Sequence, residues 1–223
     1  MTLRSVLLGG VAALLVGASA DSAPNGVYMS IEGGATFLSD MSAKEPVSNN
    51  GASTTTYHPT FSFDTGWAVL ATVGYEWQQW RFEGEAGYRH NKIDRIQFSH
   101  GPGTGGDDVN QLTLMANMLY DIPLGDRFSA SVGGGVGFDR VKFEWPGFGP
   151  NGWSDDEWRF AWQGIAGLNY AISPECELFV DYRYLDADGP NYSTKPPGVW
   201  TYALRFEDVE TQTVSAGIRL HFN

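Results

Sequence analysis

The sequence predicts an all-β fold: an eight-stranded antiparallel transmembrane β-barrel with short periplasmic turns and four long extracellular loops. Three observations carry that prediction. Residues 80–91, WRFEGEAGYRHN, alternate strictly: Trp80, Phe82, Gly84, Ala86 and Tyr88 are apolar or small, while Arg81, Glu83, Glu85, Gly87 and Arg89 are charged or small. The apolar face begins and ends in large aromatics, as a lipid-facing strand does between two aromatic girdles. The same two-residue period then recurs along the chain, with connections that alternate long and short. A soluble barrel inverts the faces, with an apolar lumen and a polar exterior, so charges confined to one face beside aromatics favour the membrane version.

The first twenty residues stand apart. They hold one basic residue (Arg4), an apolar run over 6–16, and small residues Ala18 and Ala20 ahead of Asp21. That is the pattern of a secretory signal peptide, giving a division into residues 1–20 and a barrel domain over 21–223. Cys176 is the single cysteine, so no internal disulfide forms. Removing Arg4 leaves 14 − 1 = 13 basic against 26 acidic side chains, a net charge of −13 that argues against nucleic-acid binding. The 28 glycines and 14% aromatics suit a tightly curved sheet with a ring of aromatics at each membrane interface.

The first strand, 27–37, sets Val27, Met29, Ile31, Ala35 and Phe37 against Tyr28, Ser30, Glu32, Gly34 and Thr36. A long polar loop over 39–64 follows. The second strand, 66–77, turns Trp67, Val69, Ala71, Val73, Tyr75 and Trp77 to one side. Only Gln78 and Gln79 separate it from the third, which sets Glu76 opposite Arg81 as an expected inward ion pair. Gln-Gln is poor chemistry for a two-residue turn, so a looser four-residue turn is acceptable there. After a second long loop (91–108), the fourth strand (111–120) faces Leu112, Leu114, Ala116, Met118 and Tyr120 outward, with Thr113, Asn117 and Asp121 inward.

A short connection leads to the fifth strand, where Phe128, Ala130, Val132, Val136 and Phe138 alternate with small residues and Asp139. Parity flips to Val141 and Phe143 beyond Asp139, which predicts a bulge or the membrane edge. A third long loop covers 144–156. The sixth strand, 158–170, sends Trp158, Phe160, Trp162, Ala166, Leu168 and Tyr170 outward and Arg159, Gln163 and Asn169 inward. The seventh faces Leu178, Val180, Tyr182 and Tyr184 out and Glu177, Phe179, Asp181 and Arg183 in. Within the fourth long loop, 186–208, residues 200–206 have the pattern to extend a strand above the membrane. The last strand alternates Val214, Ala216, Ile218, Leu220 and Phe222 with Thr213, Ser215, Gly217, Arg219 and His221.

Several stretches resemble a known group: FEGEAGYRHNKID (82–94), LMANMLYDIPLG (114–125), SVGGGVGFDRV (131–141), FAWQGIAGLNY (160–170), VDYRYLD (180–186) and SAGIRLHF (215–222). They are similar to the small eight-stranded outer-membrane proteins of the opacity and OmpA-like β-barrel superfamily of Gram-negative bacteria. The ending resembles the signal read by the barrel-assembly machinery, in Ser215, Gly217, Leu220 and Phe222, although Asn223 follows the terminal aromatic. The resemblance implies an outer-membrane location after export, in contact with lipid and lipopolysaccharide. It also implies a monomeric structural, adhesive or antigenic role, with a host or environmental ligand at the loops. Some members bind haem.

The inward charges Glu32, Glu76, Arg81, Glu83, Glu85, Arg89, Arg159, Asp181, Arg183 and Arg219 are expected to form a lumen network. An eight-stranded barrel is just wide enough for its own side chains, and charges confined there must pair to offset desolvation. A closed plug is therefore expected; a small pore or a ligand-uptake protein, for example for haem, is the alternative. The girdles are assigned to Trp67, Tyr75, Trp77, Trp80, Phe82, Tyr88, Tyr120, Phe128, Trp158, Tyr170, Tyr182 and Phe222. Loop aromatics Tyr57, Trp145, Phe148, Trp153, Tyr192 and Trp200 are candidate contact residues, since Trp and Tyr favour interfaces.

No enzyme activity and no cofactor are expected. Gly101–Gly106 spells G-x-G-x-x-G but sits in a loop rather than between a strand and a helix. The acidic loop groups around Asp107, Asp108, Asp155, Asp156 and Glu157 read as solvated rather than as calcium sites. His58, His90, His100 and His221 lack metal-ligand spacing.

Overall fold

With lipid on one face, an open sheet edge leaves backbone groups unsatisfied, so strands that cross the bilayer must close on themselves. The computed structural model describes residues 26–49, 53–98, 101–104, 108–144, 158–189, 191–194, 200–206 and 208–222. The expected signal segment, 1–20, lies outside them. The strands in chain order are β1 (Gly26–Leu38), β2 (Met41–Asn49), β3 (Ser53–Tyr57), β4 (Thr60–Phe63), β5 (Gly66–Trp77), β6 (Trp80–Phe98) and β7 (Gly101–Thr104). They continue as β8 (Asp108–Pro123), β9 (Phe128–Glu144), β10 (Arg159–Ser173), β11 (Cys176–Ala187), β12 (Asn191–Thr194), β13 (Trp200–Phe206) and β14 (Val209–Phe222).

The strands β1, β5, β6, β8, β9, β10, β11 and β14 pair antiparallel in that order and close back on β1. Paired residues followed once round lead from Tyr28 through Gly74, Glu83, Asn117, Gly135, Gln163, Leu185 and Thr211 to Leu38. The shear is therefore 38 − 28 = 10 residues. With a rise of about 3.3 Å and a strand spacing of about 4.8 Å, that shear tilts the strands by about 41° at a backbone radius of about 8 Å.

The expected faces hold throughout. Outward apolar residues such as Met29 (51% exposed), Val73 (52%), Leu114 (49%) and Val180 (52%) form a continuous band, while Glu32, Glu85, Arg183 and Ser215 are buried inside. On β5, Trp67 and Trp77 are 77 − 67 = 10 residues apart, which at this tilt is about 25 Å along the axis, the height of an apolar membrane band.

One expectation is corrected, and two that were left between alternatives are decided: the tight hairpin at Gln78-Gln79 over the looser turn, and the membrane edge over the bulge. The segments read as long polar loops carry further strands, of which only β13, at 200–206, was expected: β2 pairs with β3, β4 and β13, β4 and β7 with the outer part of β6, and β12 with β13. Pairing beyond the membrane satisfies backbone groups without needing hydrophobic alternation, so the sequence period does not mark it. The Gln78-Gln79 turn is a tight two-residue one: Trp77 pairs with Trp80 and Gln78 takes a positive φ of 58°. Finally, β9 carries no bulge near Asp139, since its register with β8 runs unbroken from Ser129 to Glu144. The parity flip marks the membrane edge instead: the strand stays regular and its surroundings change.

Candidate functional site

Two interior layers define what this barrel can do. Within the apolar band the inward positions are mostly polar. Arg183 lies at the centre, donating from Nη1 to Glu85 at 2.7 Å and from Nη2 to Glu32 at 2.5 Å and to Asp181 at 3.0 Å. Ser215 donates to the other Glu32 oxygen at 2.5 Å, and Asn117 and Gln163 donate to Glu85 at 2.9 and 3.2 Å. These residues come from six strands, so the contacts tie the barrel across its diameter. Close approach matters at Gly135, where a Cβ would stand 2.0 Å from Asn117 Oδ1.

Towards the short turns, Arg81 pairs with Asp121 (Nε to Oδ2, 2.8 Å; Nη2 to Oδ1, 3.0 Å) and with Glu83 at 3.3 Å. The Tyr28 hydroxyl donates to Glu83 at 2.7 Å. Arg219 meets Glu177 and lies over the rings of Tyr28 and Phe179, at 5.2 and 4.8 Å. The expected Glu76–Arg81 ion pair is replaced: the two are opposite in register, but Arg81 turns to Asp121 and Glu76 takes His221 at 3.2 Å. Arg81 Nη2 donates to Asp121 Oδ1, and both Asp121 oxygens lie against the guanidinium.

Nearer the long-loop end, Arg89 rests on hydroxyls, donating to Thr213 at 3.2 Å and Thr113 at 3.0 Å, with Nη2 left unpartnered. Asp139 accepts from Gln111 at 3.3 Å. Arg159 is half-buried opposite Asp139 in the register. Apolar Leu70, Leu119, Ile165 and Phe179 fill the space between the charges. Glu85 Oε1, Ser131 Oγ and Asn169 Oδ1 are buried without a hydrogen-bond partner.

Above this level the interior inverts. Leu38, Met41, Phe61, Ile93, Ile96, Val109, Val141, Leu185, Ala187 and Val209 form one buried cluster, while the neighbouring outward positions Lys92, Lys142, Asp208 and Glu210 are exposed. The strand extensions thus surround an apolar cluster that sits above the polar interior of the membrane barrel.

The aromatics gather at both ends of the band. Trp80 packs edge-on against Tyr120 with centroids 4.9 Å apart, and Phe128 against Tyr170 at 4.8 Å, at the short-turn end with Tyr75, Trp77, Phe82 and Phe222. Trp67–Tyr88 at 5.5 Å and Trp162–Tyr184 at 5.7 Å mark the other end, with exposed Trp158, whereas Tyr182, assigned to a girdle from sequence, is exposed mid-strand on β11. Phe37, Phe138, Phe160, Trp162 and Tyr184 share this outward position and were not assigned to a girdle from sequence, though their parity would have found them.

The family model described as outer membrane protein beta-barrel domain matches residues 6–222. The chain belongs to that family. It is a protein of the Gram-negative outer membrane. An uncharacterized protein of Brucella abortus is 26% identical over 173 residues, covering 63% of this chain. The chain spans only 58% of that relative's length, and the same holds for a Brucella suis protein. Among solved structures, the outer membrane protein OprG of Pseudomonas aeruginosa superposes with a TM-score of 0.61 at 17% identity, covering 89% of this chain and 97% of that one. Neisserial surface protein A gives 0.53 at 16%, covering 88% and 97%. Both share the fold.

Other candidates within this outer-membrane barrel separate by position. Trp145, Phe148 and Trp153, and the acids Asp107, Asp155, Asp156 and Glu157, lie outside the described residues, as does His100. Tyr57, Tyr192 and Trp200 fall on β3, β12 and β13, with their side chains outside the described part. Gly101–Thr104 forms a strand against β6, not the start of a helix. No group of three or more His, Cys, Asp or Glu side chains converges for a metal among the described residues. His90 contacts Asn110 and Asp108 on the outer wall. Sequence reading missed Tyr28, Asp121, Asn117 and Gln163 as network members; each shows inward parity and a polar group, the signal that would have found it.

Proposed function

We propose that this protein is a sealed, non-enzymatic scaffold of the outer membrane. Its lumen is closed by the Glu/Asp–Arg network, and its strand-extended outer end is available for surface interaction. The observation that carries this reading is the double barrier along the axis. Charged side chains interlock through the spanning part, and the apolar cluster around Phe61, Ile96 and Leu185 fills the interior above them. A crossing ion has to displace ion pairs and then pass apolar side chains, both costly without water. The rival reading, a small pore or a ligand-uptake protein, needs a continuous water path, and the apolar cluster weighs against one.

In this reading residues 1–20 are a signal peptide removed on export, and the barrel of 21–223 is a monomer. The assembly machinery recognises Ser215, Gly217, Leu220 and Phe222, and the two aromatic rings hold the barrel at the bilayer interfaces. A host or environmental ligand meets the outer strands, with Tyr57, Trp145, Trp153, Tyr192 and Trp200 as contacts. Liposome swelling tests the seal: vesicles carrying the barrel should swell in small sugars and amino acids no faster than empty ones. Swelling that scales with the amount of barrel would overturn it.

A further inference from the structure

The charges inside the membrane barrel do not balance. Glu32, Glu85 and Asp181 share Arg183, and Glu83 and Asp121 share Arg81, so in these two groups five carboxylates meet two guanidiniums. Glu177 matches Arg219, Glu76 faces His221, and Asp139 lies opposite Arg159 in the register. Arg89, held by the Thr113 and Thr213 hydroxyls, offsets one charge more. A surplus of at least 5 − 2 − 1 = 2 negative charges is left among the described residues. In a lumen that side chains fill, uncompensated charge is costly.

One place in that lumen offers oxygen atoms to a cation. Ser131 on β9, Gly167 on β10 and Asp181 on β11 are neighbours in the register and share the inward face. A Cβ on Gly167 would stand 2.0 Å from Asp181 Oδ1 and 2.7 Å from Ser131 Oγ. The glycine therefore leaves a recess that both oxygens face, no more than 2.0 + 2.7 = 4.7 Å apart. Asp181 and Ser131 are 2% and 3% exposed, and neither of these two oxygens has a hydrogen-bond partner. The other carboxylate oxygen of Asp181, Oδ2, takes Arg183 at 3.0 Å, which leaves Oδ1 to the recess. Asn169, the next inward residue on β10, also keeps its amide oxygen buried and unpartnered.

A serine donating to the aspartate would satisfy both groups. Instead the two oxygens stand side by side without that bond, as two ligands of one ion do. Hard cations hold oxygens at about 2.4 Å, so two ligands of one ion stand up to about 4.8 Å apart. One carboxylate oxygen beside neutral ones suits a monovalent ion; calcium and transition-metal sites gather more charge or imidazole. We propose that the lumen holds a monovalent alkali cation in the recess at Gly167, bound by Asp181 Oδ1 and Ser131 Oγ, as the counter-ion of the acid surplus. The ion needs no continuous water path, since it is taken up as the strands close. The site therefore stands whether or not the lumen conducts.

Urea unfolding of the full barrel in lipid vesicles tests this, with sodium or potassium chloride exchanged for N-methylglucamine chloride at constant ionic strength. An ion that binds only the folded barrel lowers the unfolding constant, by about tenfold at about 100 mM for a dissociation constant of about 10 mM. The wild type should show that change. Ser131→Ala and Asp181→Asn should lose it, and Ser30→Ala, on β1 across the ring from β9, should keep it. Heat-dependent gel mobility checks that each variant is folded. In crystals, thallium(I) as an electron-dense stand-in should give an anomalous peak between Asp181 and Ser131, absent from Ser131→Ala. Equal unfolding of the wild type in all three salts overturns the proposal, and so does a response that Ser131→Ala and Asp181→Asn leave intact. A response to calcium but to neither alkali ion would assign the site to a divalent ion instead. Stability that rises on acidification, equally in every salt, would assign the surplus to bound protons and overturn the cation site.

Discussion

Arg183 is the residue on which most of the lumen depends. Among the described residues it is the one cation in direct contact with Glu32, Glu85 and Asp181, and all four are buried. Breaking a buried ion cluster by removing one partner leaves charge without compensation, at a cost of about 3–5 kcal/mol. Arg183→Ala should lower stability by that order, read from urea unfolding in lipid vesicles. Arg219→Ala should cost less, because its partner Glu177 is 18% exposed and water can take over. A second residue-scale contrast concerns glycine. A Cβ on Gly34 would stand 2.0 Å from the Val214 carbonyl oxygen, whereas one on Gly164 meets nothing within 4 Å. Gly34→Ala should therefore impair folding, seen as loss of the heat-resistant gel band, while Gly164→Ala leaves that band intact.

At the scale of elements, the turn between β5 and β6 is strained where it could be relaxed. A non-glycine residue at positive φ costs about 1–2 kcal/mol, and Gln78 holds that conformation at the first turn position, where hairpins favour glycine. Gln78→Gly should raise the urea midpoint by up to about 1 kcal/mol of stability, since glycine returns part of the gain as chain entropy; Gln78→Val should lower it. The spanning strands were legible because lipid on one side and a narrow lumen on the other impose a two-residue period from Val27 to Phe222. The outer strands, β13 apart, were not. Residues 41–49, MSAKEPVSN, have no such period, and their partners β4 and β13 are set by chain ends that the barrel brings together. The membrane edge left one trace, the change from Asp139 to Val141 on a single face of β9.

At the scale of the whole molecule, a shear of ten closes eight strands around a lumen that side chains fill. That geometry chooses the partners. Glu32 and Arg183 are 151 residues apart in sequence and 2.5 Å apart in space, and Tyr28 reaches Glu83 across 55 residues. Parity alone places such residues inside, but only strand order and shear bring each acid to its base. Strand order likewise brings His221 of β14 within reach of Glu76, while Arg81 turns to Asp121. The charged side chains below and the apolar cluster above follow from one chain read through two surroundings, lipid and water. Conductance of the purified barrel in a planar bilayer tests the resulting seal, with wild type beside the Arg81→Ala, Arg183→Ala double variant. The wild type should be silent and the double variant leaky, since two of the ion clusters are then opened. Steady wild-type channels would contradict the sealed lumen and make a pore the primary function.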